Sequence, residues 1–364
     1  MVKPNTINLN SVRLNTVALN HYGNISGGGS KPDPIAAWIR KHMAFRYDTK
    51  GYTNEVLSQT KQLEDLSGNN RPMLLNNFLF DMMSGIDGYK NGVFTKDSNN
   101  ILWDKINDRT IKGKPSTNEL DFRYYRIIDY TNGIMHIKWH VEGIVDGNKV
   151  YVCQYSVPGI KGELHNGDND ITIDINESSK PNYPYVSIIS DQPYDTDITI
   201  TQIPEYPGAL VTDGVDDYGV VQNMAHGVKM LFMTVNPTQT KRYLYDQRKD
   251  NLQPHTFAIV NHIGIIAYNS RNTDGYTYID GTLNTKLITD NLIDKKQIIT
   301  ILNNNVSESN TEQPKFFASL SKIENMSCAF YNAIGFDSIP TEEDGFTEQE
   351  LIDYVIKKYE LNKI

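Results

Sequence analysis

Apolar residues near the start of the chain fall at Ile7, Leu9, Val12, Leu14, Val17 and Leu19, and Leu-Asn recurs at 9–10, 14–15 and 19–20. Pairs that alternate and then skip one position predict extended strands, with a bulge or turn at each Asn, rather than a helix. A segment so short and narrow cannot bury its own apolar rows. It is either a disordered tail or an anchor whose strands add to another subunit. Ser26-Gly-Gly-Gly-Ser30 followed by Lys31-Pro-Asp-Pro34 reads as a flexible linker and then a stiffer one, which sets off residues 1–31.

Beyond the linker, Ala36–Ile39 reads as a short apolar strand. Leu74–Phe80 is a further apolar stretch, closed by Ser84-Gly-Ile-Asp-Gly88. Between Val93 and Tyr206 the pattern changes to short strands separated by turn residues. Strands are predicted at Phe122–Tyr130, Met135–Val141, Lys149–Tyr155, Ile171–Ile175 and Ile198–Ile203, with turns at Asp146-Gly147, Asn166-Gly167 and Pro181–Pro184. After Tyr218, strands are predicted at Val228–Val235, Arg242–Tyr245, Thr256–Val260, Ile263–Tyr268, Tyr276–Ile279, Ile298–Leu302, Lys315–Leu320 and Met326–Gly335. The chain then changes period. Thr347-Glu-Gln-Glu350 is a capping box, Leu351, Ile352, Val355 and Ile356 fall at helical spacing, and Lys357 and Lys358 suit the carboxyl end.

Two phrases stand out against this background: Asp65-Leu-Ser-Gly-Asn-Asn70 and Thr212-Asp-Gly-Val-Asp-Asp-Tyr218. They resemble signature turns of the laminin-G/concanavalin A-like jelly roll, a two-sheet β-sandwich that binds glycans or proteins. About 140 residues separate them, more than that fold needs. The expectation is an all-β chain in which residues 35–89 and 208–364 form one sandwich with a short C-terminal helix. Residues 93–206 would form a smaller inserted β-sandwich, bounded by Pro204 and Pro207, and residues 1–31 an extended anchor.

Leu63–Tyr89, Ile198–Val221 and the ending from Ala329 through Tyr359 further resemble virion proteins of tailed phages of gut Bacteroidales, the crAss-like phages and their relatives. The resemblance spans roughly Ile35–Ile364. It implies a fibre, appendage or capsid-decoration role in the virion, with the sandwich presented outward and Ile7, Leu9, Val12, Leu14, Val17 and Leu19 docking onto the particle. A homo-oligomer, with a trimer favoured, is the expected assembly.

Composition narrows this reading. Hydrophobic residues make up 39% and charged residues 22%, which is globular rather than disordered. A net charge of -9 argues against a nucleic-acid surface. The longest apolar runs are strand-length, so no membrane insertion is expected, and the N-terminus lacks the pattern of an export signal. Cys153 and Cys328 both sit in apolar, strand-like contexts that favour buried thiols over a disulfide. No cofactor motif is legible.

The candidate chemistry is mostly explained by structure. Asp213, Asp216 and Asp217 are the nearest approach to the paired carboxylates of a glucanase, yet they lie in a turn that Asx residues would cap. Asp168, Asp170 and Asp174 read as solvated. His136 and His140 share a strand face with Trp139 pointing the other way, and no third metal ligand accompanies them. Asp274 and Asp280 are weak calcium candidates, because Thr273-Asp-Gly275 is equally a hairpin turn. No nucleophile with an adjacent base is legible, so no catalytic residue is assigned. Arg242, Tyr243, Tyr245, Arg248, Tyr268, Asn269, Arg271 and Asn272 cluster on successive strand–loop segments, the residue types that stack on sugars and bond hydroxyls. Ordinary sheet aromatics flanked by polar loops would give the same pattern.

The favoured reading is therefore a non-enzymatic virion protein that attaches to a host-surface glycan or protein. A glycan depolymerase would require paired carboxylates facing one groove. A bacterial surface adhesin would require an export signal or lipobox.

Overall fold

The chain was analysed as a computed structural model that describes residues 33–80, 84–89, 94–96, 103–117, 125–126, 134–154, 160–174, 185–224, 227–239, 242–247, 258–262, 265–268, 275–284, 294–303, 313–319 and 325–362. The proposed anchor residues Ile7, Leu9, Val12, Leu14, Val17 and Leu19 lie outside them. The fold is all-β and sandwich-like, with four antiparallel sheets among the described residues and a short C-terminal helix.

One sheet has eight strands. From its middle to one edge it runs Gln297–Asn303, Met230–Pro237, Ser327–Phe336, Leu210–Asp213 and Gly85–Ile86 in spatial order. Ser327–Phe336 is ten residues long, and its free edge is shared. Leu210–Asp213 pairs with residues 327–330 and Met43–Asp48 with residues 332–336. Strands from far apart in sequence thus continue one another along a common partner.

The facing sheet has seven strands, in the order Gln62–Leu63, Met73–Asn76, Tyr218–Val221, Lys315–Phe316, Arg242–Asp246, Ala258–His262 and Ile265–Tyr268. Between the two sheets lies an aromatic core centred on Phe316. Its ring packs on Phe45, Tyr47, Tyr245, Phe317 and Phe330 at centroid distances of 4.9–6.0 Å. Gly335 lets Phe45 press against the backbone: a Cβ there would meet the ring at 2.6 Å.

Residues 94–202 supply two further five-stranded sheets. One contains Val150–Gln154 and Tyr185–Ser190, the other Ile134–Glu142, Gly167–Asp174 and Ile198–Gln202. Their shared core is Trp103, Ile111, Ile137, Trp139, Val141, Val150, Val152, Ile198 and Ile200, all from within this stretch. No strand pairing among the described residues joins these sheets to the outer two.

The stretch leaves and returns through one stem. Gly85–Ile86 pairs with Leu210–Val211, and the amides of Glu205 and Tyr206 donate to Gly88 and Asp87. The backbone there tolerates only glycine at Gly88, where φ is +54° and a Cβ would meet Val211 at 2.6 Å.

Two sequence expectations are corrected. Ala36–Ile39 is not a strand but lies within a helix, Pro34–His42. Asp33 Oδ1 accepts from the amides of Ile35 and Ala36, Pro34 takes the first turn, and Trp38 and Ile39 are buried. Four apolar residues in a row gave no period, whereas the cap three residues upstream did mark the start. A second helix, Asn54–Thr60, was hidden because only Leu57 of it is buried. The C-terminal helix Glu348–Lys358 forms as expected. Thr347 Oγ1 accepts from the Glu350 amide at 3.2 Å, and the Glu350 carboxylate accepts from the Thr347 amide at 2.7 Å. This helix and Pro34–His42 together cover the outer face of the eight-stranded sheet, with Trp38, Leu351, Ile352 and Val355 over Phe232, Ile334 and Phe336.

Two predictions follow from this packing. Phe316→Ala empties the centre of the aromatic core and should cost about 3–5 kcal/mol in denaturant unfolding. A loss under 1 kcal/mol would show that the core collapses around the gap. Replacing residues 90–203 by a short Gly-Ser loop should leave one cooperative unfolding transition, because the stem strands carry their own partners. A molten product would show that the outer sheets need the inner ones.

Candidate functional site

The two signature turns prove to be structural clips. In the first, Asp65 Oδ1 accepts from the amides of Arg46 and Ser67, and Oδ2 accepts from that of Arg71. Asn69 Nδ2 and the Arg71 guanidinium donate to the carbonyl of Ala44. The turn is sewn to Met43–Asp48, and its Gly68, at φ +88°, is required by the backbone. In the second turn, Thr212 Oγ1 donates to the Met326 carbonyl and accepts from the Cys328 amide. Asp213 Oδ1 accepts from the Val215 amide at 2.7 Å, the Asx geometry expected of it.

Asp217 is fully buried. Its Oδ2 accepts from Ser84 Oγ at 2.8 Å and from the Asp213 amide at 2.9 Å. Burial first, then the nearby Asp213 and Asp216 carboxylates, push its pKa up to about 7 against the pull of those two hydrogen bonds.

Beside Gly85–Ile86 the stem opens into a cleft of about 210 Å³. The outer sandwich contributes Tyr52, Thr53, Asn54 and Glu55 at the start of the helix Asn54–Thr60, together with Phe80 and Ile86. The stem adds Asp87 and Tyr89, and the hairpin turn between Trp103–Asn107 and Thr110–Gly113 adds Asp108 and Arg109. A cleft between two β-units is the usual place for a ligand.

Most polar groups here are already oriented. Asn54 bonds both backbone groups of Ile86, at 2.7 and 3.2 Å. Asp87 accepts from the Gly208 amide and from Tyr89 Oη. Arg109 lies 3.8 Å over the Tyr89 ring and donates to Gln202. Burial and Asp87 hold the Tyr89 hydroxyl well above the ordinary tyrosine range, so it stays a donor at any physiological pH. Asp108 pairs with Lys105. Glu55 is exposed on the first helical turn and faces the same space.

The sequence-derived binding cluster does not form one open face. Tyr245 is fully buried on Phe316, and its hydroxyl donates to Gln247. Tyr243 is also buried. A bulge between these two residues turns Leu244 and Tyr245 together into the core, which strict alternation would not allow. Arg242 is half-buried, and Tyr268 lies in an edge strand of the seven-stranded sheet. Arg248, Asn269, Arg271 and Asn272 are outside the described residues, as is Asp274. Asp280 Oδ1 accepts from the Ile298 amide at 2.8 Å, which accounts for it as a hairpin cap. Cys328 is buried beside Thr212, and burial pushes its thiol up to about 12, so it is inert.

Sequence reasoning missed Tyr52, Glu55, Tyr89 and Arg109, which lie on both sides of the stem and only the fold unites them. The readable signal was the Thr53 cap, which fixes where the helix and its first-turn Glu55 begin.

The inner sheets carry a polar cluster around two histidines. His140 Nδ1 lies 2.6 Å from Asp168 and Nε2 3.4 Å from Glu142, while His136 meets Thr172 at 3.3 Å. Asp168 and Thr172 lie directly across the ladder from His140 and His136, while Glu142 is on the same strand as both histidines.

No family model, curated protein or solved structure matches this chain.

The hydrogen bond to Asp168 raises the His140 pKa. Its contribution to stability is therefore complete below the unfolded value of about 6.5 and is lost as pH rises through the folded value. NMR titration should place His140 above the ordinary imidazole value, with Asp168→Asn removing most of the shift. A His140 that titrates the same in the wild type and in Asp168→Asn would contradict this.

Proposed function

We propose that this chain is a non-enzymatic virion protein of a tailed phage, attached to the particle by its N-terminal strands and displaying the cleft at the stem to a host-surface glycan. The observation that carries the binding role is the cleft itself. Tyr52 and Tyr89 line it with aromatic rings, and Glu55, Asp108 and Arg109 set hydroxyl-bonding groups beside them. That mixture suits a sugar ring, which is apolar on its faces and polar around its rim.

Hydrolysis would need two carboxyl groups aimed into one groove. In this cleft Asp87 is already bound to Gly208 and Tyr89, and Asp108 to Lys105. That leaves Glu55 without a working partner, which favours binding over cleavage. Single sugar contacts are weak, so a trimer or another multi-copy arrangement on the particle would supply the avidity. The virion assignment rests on the resemblance of Leu63–Tyr89, Ile198–Val221 and the C-terminal segment to phage virion proteins. The paired apolar rows from Ile7 to Leu19 would supply the attachment.

Binding to purified host capsular polysaccharide tests the reading. Wild-type protein should bind without shortening the chains, and Tyr52→Ala combined with Arg109→Ala should weaken binding at least tenfold. Depolymerisation that is lost in Glu55→Gln would instead make the protein an enzyme. In parallel, a chain lacking residues 1–31 should fold but fail to join particles.

A further inference from the structure

We propose that the sugar held in the stem cleft, on the reading of that cleft as a glycan site, carries a free amine whose ammonium pairs with the Glu55 carboxylate.

The charges around the cleft decide the sign. Its lining residues include three carboxylates, Glu55, Asp87 and Asp108, against one guanidinium, Arg109. That guanidinium is already engaged. It lies 3.8 Å over the Tyr89 ring and donates to Gln202 Oε1 at 3.2 Å. Stacked and bonded in this way, it is not free to turn into the bidentate grip that a carboxylate-bearing sugar needs. Two ammonium groups stand nearby and are occupied as well. Lys105 pairs with Asp108, and Lys61 lies 4.5 Å over the ring of buried Phe80.

The carboxylates are not equivalent. Asp87 accepts from the Gly208 amide at 2.8 Å and from Tyr89 Oη at 3.1 Å, so each of its oxygens has a donor. Asp108 has Lys105. The Glu55 carboxylate has no hydrogen bond and no ion pair among the described residues. Its neighbours are committed to the backbone: Thr53 Oγ1 accepts from the Val56 amide, and Asn54 bonds both backbone groups of Ile86. Glu55 nevertheless belongs to the cleft electrically, because its charge helps to raise the pKa of the Tyr89 hydroxyl. It is the charge in the lining that is left for a ligand, and it calls for a positive partner.

The rings select what carries that partner. Tyr52 and Tyr89 line the same space as Glu55. Aromatic rings take the apolar face of a sugar and favour a cation beside them. An amino sugar supplies the face and the cation in one unit. A neutral sugar offers Glu55 hydroxyls alone. A uronic acid would set a further negative charge against three carboxylates.

The test measures binding of the full chain to three oligosaccharides of equal length by calorimetry: glucosamine oligomers, the same oligomers after N-acetylation, and galacturonic acid oligomers. We expect the glucosamine oligomer to bind roughly tenfold more tightly than its acetylated form, the size of one hydrogen bond to a charged group. The galacturonate oligomer should bind most weakly. The preference should shrink as salt is added and as rising pH deprotonates the amine. The chain carries a net charge of -9, so weak adhesion of any cation is expected, and Glu55→Gln separates it from the cleft. That variant alters an exposed side chain, so its Tm should stay unchanged while most of the preference for the amine disappears. Equal binding of the amino and acetylated forms would overturn the inference and leave the glycan reading standing. So would a preference that survives Glu55→Gln. A lysine oligomer bound as tightly as the glucosamine oligomer, and through Glu55, would overturn the choice of a sugar as the carrier. Binding of none of the three oligosaccharides would count against the glycan reading itself and take the inference with it.

Discussion

The strand Ser327–Phe336 is the constraint on which the outer sandwich depends. Its ten residues pair on one side with Met230–Pro237 and on the other with two strands placed end to end, Leu210–Asp213 and Met43–Asp48. Those two are separated in sequence by the whole of the inner β-unit. Neither has a second long partner of its own, so both depend on the final strand for their register. The same strand presents Phe330 inward to the aromatic core and Phe336 outward to Trp38. Late synthesis of the organising strand makes the fold strongly non-local, which slows folding and lengthens exposure of unpaired edges.

Much of the strand content was legible because its burial is one-sided. Ile198–Gln202 alternates buried and half-buried along its length, and Ile137, Trp139 and Val141 alternate with polar neighbours. The capping box at Thr347 and Glu350 was equally legible, since two reciprocal hydrogen bonds fix both residue types. Failures came where both faces are covered or where the period slips. Met230–Pro237 is buried throughout, so alternation says nothing about its orientation. Tyr243 and Tyr245 looked like a binding face because a bulge cannot be read from residue types. Ala36–Ile39 looked like a strand because its apolar run is continuous, although Asp33 and Pro34 spell a helix start.

The candidate site was hardly legible, and for a different reason. Tyr52, Tyr89 and Arg109 are unremarkable in their own neighbourhoods and meet only because the stem returns the chain to its point of departure. The acidic turn was seen and assigned to capping, which the Asp213–Val215 bond supports. What sequence does not contain is the long-range partner: Asn325, more than a hundred positions away, donates its Nδ2 to the Val215 carbonyl of that turn.

The stem also fixes how the molecule responds to force. Both arms of the inner β-unit emerge side by side at Gly85–Ile86 and Leu210–Asp213, so tension applied through that unit pulls the arms apart across their hydrogen bonds. Bonds loaded in this way open one after another, like a peeled tape. Tension along Met43–Asp48 instead runs parallel to Ser327–Phe336 and loads the whole ladder at once. A pull through the inner unit therefore meets a yielding joint, while a pull from the amino-terminal side meets a resistant one.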